Sequence, residues 1–85
     1  MFDPAGHYRL SPRVGLRPEP FGALAYHFDT RRLVFLKSTD LVALVESLDD
    51  HDSAAAAIDA VAPSRRRSFE AALESLLESG VVEAA

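Results

Sequence analysis

The 85-residue sequence contains no cysteine, no tryptophan and only four glycines. Without cysteine the chain forms no disulfide, has no thiolate nucleophile and offers no cysteine-based zinc site. This composition agrees with a reducing cytoplasm, where we expect the protein to act. No basic segment followed by an apolar run opens the chain, and no apolar run approaches the length of a membrane span, so we expect neither a signal peptide nor a membrane partner.

Positive charge is also scarce. Nine lysines and arginines face 13 aspartates and glutamates, which gives a net charge of -4. A protein whose main partner is the phosphate backbone needs clustered positive charge, so this balance argues against nucleic acid as the partner. The chain is long enough for one small domain, which we place at residues 13–85. Residues 1–12, which include two prolines, one glycine and one arginine, are expected to form a loosely ordered arm.

Recognisable catalytic and metal-binding patterns are missing. The three histidines, at positions 7, 27 and 51, are widely separated and form no ligand pair. The acidic run Asp49–Asp52 lacks the spacing and the closing glutamate of a calcium loop. No phosphate-binding glycine loop and no nucleophile motif is present. We therefore predict no catalytic residue, no metal and no cofactor.

Residues 21–36 predict a β-hairpin. Large and small residues alternate along the first arm, which is typical of a strand with one buried face; they are Ala23, Leu24, Ala25, Tyr26, His27 and Phe28. The polar segment Asp29–Arg32 interrupts the alternation and is expected to form the turn. The second arm, Leu33–Leu36, is apolar throughout.

The position of the turn sets the pairing of the two arms. With the turn centred on Thr30 and Arg31, Phe28 lies opposite Leu33. Tyr26 then lies opposite Phe35, and these four paired side chains share one face of the sheet. Cross-strand pairs of this kind contribute roughly 0.2–1 kcal/mol each.

The remaining elements follow from proline positions and helical periodicity. Residues 14–17 alternate and predict a short first strand, which we expect Pro18 and Pro20 to stop. Three helices are expected at residues 39–48, 54–62 and 65–79. Their predicted N-caps are Ser38, Asp52 or Ser53, and Ser64, and the predicted C-cap glycine is Gly80. Three strands followed by three helices predict an α+β fold with the helices packed on one face of the sheet, and three short helices after a hairpin resemble a winged helix-turn-helix.

Two features suggest a binding function. The run Leu33–Leu36 is uncharged and β-prone, and it lies on the outer arm of the hairpin, where an unprotected edge invites an added strand. Arg32 and Lys37 flank this run and give partial protection. The second feature is Arg65–Arg67 at the start of the third helix, where cations oppose the helix dipole. Such a cluster is either screened by solvent, or kept for an acidic partner, or used to enter a DNA groove.

Several segments together resemble a known family. They are Arg17–Leu24 (RPEPFGAL), Arg31–Leu36 (RRLVFL), the Leu-x-x-Leu-Val pattern at 41–45, and Leu76–Val82 (LLESGVV). They resemble the peptide chaperones of mycofactocin biosynthesis, relatives of the D-type chaperone of pyrroloquinoline quinone biosynthesis among the RiPP precursor recognition elements. The resemblance covers nearly the whole chain, and Glu-Pro-Phe-Gly-Ala is its most specific part. The turn at Asp49–Asp52 departs from the Asp-Gly turn that is frequent after the first helix of the quinone-pathway relatives.

The resemblance implies a three-stranded antiparallel sheet followed by three helices, the winged helix-turn-helix-like fold of a RiPP recognition element. It also implies a non-catalytic protein that holds the leader of a ribosomally made precursor peptide as an added strand. It also implies delivery of that peptide to a radical SAM maturase. Carried onto this chain, the resemblance implies a peptide-binding site with three parts. The strand is Arg32, Leu33, Val34, Phe35 and Leu36; the groove wall is Phe69, Leu73 and Leu76; the mouth of the groove is Arg65 and Arg66.

Two alternatives belong to other classes of protein. A small winged-helix module would bind duplex DNA through Arg65–Arg67 with strong salt dependence. A homodimer would form by pairing the exposed strand edges of two copies. Neither alternative requires a peptide.

Overall fold

The computed structural model describes all 85 residues and contains five strands and three helices. The strands are β1 (Tyr8–Leu10), β2 (Val14–Glu19), β3 (Gly22–His27), β4 (Leu33–Leu36) and β5 (Val82–Ala84). The helices are α1 (Thr39–Ser47), α2 (Ala54–Val61) and α3 (Arg66–Glu78), and short 3₁₀ turns occupy Leu48–Asp50 and Pro63–Arg65. Strands β2, β3 and β4 form an antiparallel sheet in that order, so the predicted α+β fold with a three-stranded sheet and three helices is confirmed.

Five residues, Phe28–Arg32, separate β3 from β4, and the first four form a loop closed by the hydrogen bond from the amide of His27 to the carbonyl of Arg32. The carbonyl of His27 accepts a hydrogen bond from the amide of Arg31 (2.7 Å), and Arg31 has a positive φ of 60°. The His27 ring Nδ1 also lies within hydrogen-bond distance of the amides of Asp29 and Thr30 (3.2 and 3.3 Å). The side chain of His27 thus supports the loop from inside, a function that composition and periodicity did not suggest.

This loop shifts the pairing of the hairpin by two residues from the predicted register. Tyr26 lies opposite Leu33, and Leu24 lies opposite Phe35. The predicted pairs Phe28–Leu33 and Tyr26–Phe35 are therefore wrong. A shift of two preserves the alternation of side chains, so the strand residues of the predicted face still lie together.

The face of the sheet that packs on the helices carries the small residues. Ala23 and Ala25 are 1% and 0% exposed, and Leu36 on β4 is 1% exposed. Alanine lets a helix approach the strand closely, because no longer side chain separates the two backbones. The core continues into the helices and the chain end through Leu44, Val45, Leu48, Ala57, Ile58, Leu73, Val81 and Val82.

Strand β2 runs through Pro18 and ends at Glu19, beyond the predicted stop. Pro18 lies opposite Ala23, between the hydrogen-bonded pairs of the antiparallel ladder. At that position an amide would point away from β3, so proline costs the sheet no hydrogen bond. Proline also removes a donor from the outer edge of β2 and thereby protects that edge.

The ends of the helices test the predicted caps. The hydroxyls of Ser38 and Ser53 accept hydrogen bonds from the amides of Leu41 and Ala56 (3.2 and 3.1 Å), which confirms both as N-caps. Ser64 is not a cap, because Pro63 begins a 3₁₀ turn and α3 begins after Arg65 without a side-chain cap. Gly80 has a φ of 83° and follows the end of α3, as predicted for a C-cap glycine.

The N-terminal arm, expected to be loosely held, makes specific contacts with the rest of the chain. Strand β1 pairs with β5, and Tyr8 and Ser11 are buried. The carbonyls of Pro4 and Gly6 accept hydrogen bonds from the first two amides of α2 (both 2.9 Å). Those amides have no partner inside the helix, so the arm satisfies donors that would otherwise need water.

Candidate functional site

The candidate site is the free edge of β4, because β4 is the last strand of its sheet. The amide of His27 donates to the carbonyl of Arg32, which marks residues 27 and 32 as a hydrogen-bonded pair. Hydrogen-bonded and non-hydrogen-bonded pairs alternate in an antiparallel ladder, so Val34 and Leu36 bond inward to β3. The amides and carbonyls of Leu33 and Phe35 therefore point outward and are unpaired within this sheet.

Side chains on β4 alternate in exposure just as the backbone groups alternate in direction. Leu33 and Phe35 are 59% and 58% exposed, whereas Leu36 is buried and Val34 is half-buried. Arg32 is exposed beside the loop. The edge thus offers two free peptide groups flanked by two large apolar side chains, which is suitable for an added strand.

The start of α3 lies near the start of α1, which follows β4 after two residues. Arg65 Nη1 is 3.7 Å from Asp40 Oδ2 in the first turn of α1. The guanidinium carbon of Arg65 also lies 4.5 Å from the centre of the Phe69 ring, a cation–π geometry. Arg65 therefore projects at the Leu36 end of the strand rather than along its length.

Arg66 makes closer ion pairs with its own helical layer. Its Nη2 is 2.6 Å from Asp59 Oδ1, and its Nη1 is 3.8 Å from Glu70 Oε2. The hydrogen bond and the charge of Asp59 raise the pKa of Arg66, which keeps it charged. These partners offset the positive charge at the start of α3 and leave Arg67 as the arginine of the cluster without an ion pair, an arrangement that does not favour DNA binding.

The three residues expected to form the groove wall lie in the hydrophobic core. Phe69, Leu73 and Leu76 are 3%, 0% and 4% exposed. No surface hollow is lined by both β4 and α3. In this conformation these side chains do not line an open groove, because the apolar stripe of α3 is already used to hold the helix against the rest of the fold.

Two open hollows, each of about 440 Å³, lie instead on the face of the sheet that the helices leave uncovered. Leu24 lines both of them. Phe21 and Phe35 line the first and Tyr26 and Leu33 line the second. Sequence reasoning missed this surface. The available signal was the alternation with Ala23 and Ala25, since the small residues mark the side that meets the helices.

Comparison with protein-family models matches residues 7–83 to the Peptide chaperone MftB family. The chain belongs to this family. The match confirms the resemblance noted in the sequence. A curated member of the MftB family from Mycolicibacterium smegmatis is 46% identical over 83 residues, which are 95% of this chain and 81% of that protein.

Two further curated MftB proteins match a shorter stretch. The proteins of Mycobacterium tuberculosis and Mycobacterium ulcerans are 56% and 58% identical over 50 residues. Those residues are 59% of this chain and 46% of each relative, so the match spans about half the length of these two MftB proteins. Each of the three is named as a peptide chaperone.

No solved structure matches the chain. None of the helices is both long and apolar enough to cross a membrane. No group of three histidine, aspartate or glutamate side chains is placed to hold a metal ion.

Proposed function

We propose that this protein is a non-catalytic chaperone that holds the leader of a ribosomally made precursor peptide as a fourth strand beside β4. Its function is to deliver that peptide to a radical SAM maturase in cytoplasmic mycofactocin biosynthesis. The observation that carries the proposal is the unpaired edge of β4, where the peptide groups of Leu33 and Phe35 point outward. Membership of a family of peptide chaperones supports it.

An added strand would receive main-chain hydrogen bonds from the two outward peptide groups. Its alternate side chains would lie beside Leu33 and Phe35 on one face and near Val34 and Leu36 on the other. A leader with apolar residues at every second position fits this arrangement. The ordering of a flexible leader opposes binding, so we expect moderate affinity for the buried area.

Arg32 and Arg65 lie toward opposite ends of β4 and supply positive charge there. We assign them to carboxylates of the leader. Arg66 can join them only by exchanging its ion pairs with Asp59 and Glu70 for a leader carboxylate. Phe69, Leu73 and Leu76 are buried beneath this end of the fold. They contact a peptide only if α3 moves, and in the present conformation the Phe69 ring lies under the guanidinium of Arg65. Because a three-stranded antiparallel sheet is followed by three helices, we classify the domain as a winged helix-turn-helix-like RiPP recognition element.

The test compares two substitutions of one residue. Phe35→Ala removes the exposed ring, and Phe35→Pro removes the ring together with the outward amide. One net hydrogen bond contributes about 0.5–1.5 kcal/mol, so we expect Phe35→Pro to bind a synthetic leader roughly two- to thirteenfold more weakly than Phe35→Ala. The ligand is the leader of a small precursor peptide, sought among the genes beside this one, and the measurement is an NMR amide titration.

Val34→Pro is the control, because the amide of Val34 points inward to β3. We expect it to lower the melting temperature, whereas Phe35→Pro leaves the temperature close to that of Phe35→Ala. Equal leader affinity in folded Phe35→Pro and Phe35→Ala would contradict strand addition at β4. Sedimentation of the free protein would reveal a homodimer that pairs the same edges.

A further inference from the structure

The uncovered face of the three-stranded sheet is apolar across its width. We call this surface the outer face and define it by Phe21, Leu24, Tyr26, Phe28, Leu33 and Phe35. The rings of Phe21 and Phe35 are 6.2 Å apart, and those of Tyr26 and Phe28 are 5.7 Å apart. The cross-strand pairs Leu24–Phe35 and Tyr26–Leu33 join these two aromatic pairs into one continuous surface.

Such a surface needs an explanation. An antiparallel sheet with one face in water usually presents polar residues on that face. Here Phe21, Tyr26, Phe28, Leu33 and Phe35 are all more than a third exposed. Large contiguous apolar surfaces on a small protein mark interaction sites, and aromatic residues dominate the energetics of protein interfaces.

The charge distribution indicates what kind of partner fits. Residues 13–37, which form the sheet, contain five lysines and arginines and two acidic residues, a net charge of +3. Residues 38–85 contain three arginines and ten acidic residues, a net charge of -7. Arg31, Arg32 and Lys37 at the two ends of β4 form no ion pair within the chain. The outer face thus has an apolar centre beside unpaired positive charge.

A second copy of the chain does not fit this surface well. Two outer faces packed against each other would bring the positive ends of both β4 strands together, and like charges oppose such docking. If the positive outer face of one copy packed on the negative helical layer of another, the contact would be head-to-tail. Repeated head-to-tail contacts build an open filament unless the copies close into a ring. A different protein with an acidic rim avoids both difficulties.

We propose that the outer face is a docking surface for a folded protein that presents apolar side chains inside an acidic rim. The identity of this partner rests on the proposed function: we assign the outer face to the maturase, while the leader occupies the adjoining edge of β4. The two hollows on either side of Leu24 each receive an apolar side chain of the partner. Because edge and face share β4, the bound leader would border the docked enzyme.

The experiment separates the face from the edge. The double variant Tyr26→Ser with Phe28→Ser removes two exposed rings on β3 and its loop and leaves β4 intact. We expect its affinity for the purified maturase, measured by calorimetry without leader, to fall at least tenfold. Its leader affinity should stay within twofold of wild type, and circular dichroism should show an unchanged fold.

A pair of charge reversals provides the matched control. Lys37→Glu and Arg67→Glu make the same change of net charge, the first beside the outer face and the second on α3. We expect Lys37→Glu to weaken maturase binding several-fold and to reduce its salt dependence, and Arg67→Glu to leave both unchanged.

The outcomes are distinct. Unchanged maturase affinity in the folded double variant, or no binding by wild type, would overturn the docking surface. Two other results would also overturn it, provided that the double variant abolished them and left maturase binding intact. One is a homodimer of the wild-type protein, and the other is binding of the wild-type protein to vesicles of phosphatidylglycerol and phosphatidylcholine. Wild-type protein that binds the maturase but not the leader would overturn leader capture at β4 and leave the docking surface standing.

Discussion

The two faces of the sheet are built from the same strands and behave as opposites. On the inner face, Ala23, Ala25 and Leu36 are almost completely buried against the helices. On the outer face, Tyr26, Leu33 and Phe35 are more than a third exposed, although each of them is larger than the buried alanines. Side-chain size therefore does not identify the buried side of a strand when a helix must approach closely. The inner face holds the fold together, and the outer face is available for binding.

The largest expected effect separates two leucines of β4. Leu36→Ala removes a buried side chain on the inner face and should lower the free energy of unfolding by about 2–5 kcal/mol. Leu33→Ala removes an exposed side chain on the outer face and should change it by less than about 0.5 kcal/mol. Denaturant unfolding of both variants checks the contrast. Equal losses would mean that the outer face also contributes to the core.

A smaller effect tests why the inner face uses alanine. Ala25→Leu forces extra volume between β3 and the helices and should cost about 1–3 kcal/mol of unfolding free energy. Arg17→Leu places the same side chain on the outer side of β2, where Arg17 lies opposite Leu24. We expect a cost below about 0.5 kcal/mol there, again from denaturant unfolding. An Ala25→Leu protein as stable as wild type would show that the helices do not press on this strand.

The smallest effect tests the register on the outer face. A double-mutant cycle of Tyr26→Ala and Leu33→Ala should give a coupling of roughly 0.2–1 kcal/mol, because the two residues are cross-strand partners. The same cycle for Phe28 and Leu33 should give a coupling near zero, since the Phe28 ring packs on Tyr26 and over Gly15 instead. The reverse order of couplings would support the register predicted from the turn centre.

Much of the fold follows from local signals. Serine caps at Ser38 and Ser53, the glycine after α3 and the alternation in β3 predicted the helices and the hairpin, because each is a short-range effect. The register of the hairpin depended on the side chain of His27 and on the positive φ of Arg31. The residue types in the turn predicted neither of these features. The prediction of Ser64 as an N-cap was wrong because a 3₁₀ turn begins at Pro63.

The candidate site was predictable only in part. The apolar run of β4 indicated an exposed edge, since an outer arm of a hairpin lacks a second neighbour. Burial of Phe69, Leu73 and Leu76 was not distinguishable from groove lining, because the same apolar stripe on a helix serves either purpose. The outer face escaped prediction because choosing between two apolar sides of a strand requires knowing where the helices pack.

The pairing of β1 with β5 has a consequence for the order of folding. Arg9 lies opposite Glu83 in this small sheet, and their side chains are joined by a 2.7 Å ion pair across a sequence separation of 74 residues. Closing so long a loop costs more chain entropy than closing the hairpin of β3 and β4. We therefore expect the hairpin to assemble first and the two ends of the chain to join last. Amide hydrogens of β1 should accordingly exchange with solvent sooner than those of β3.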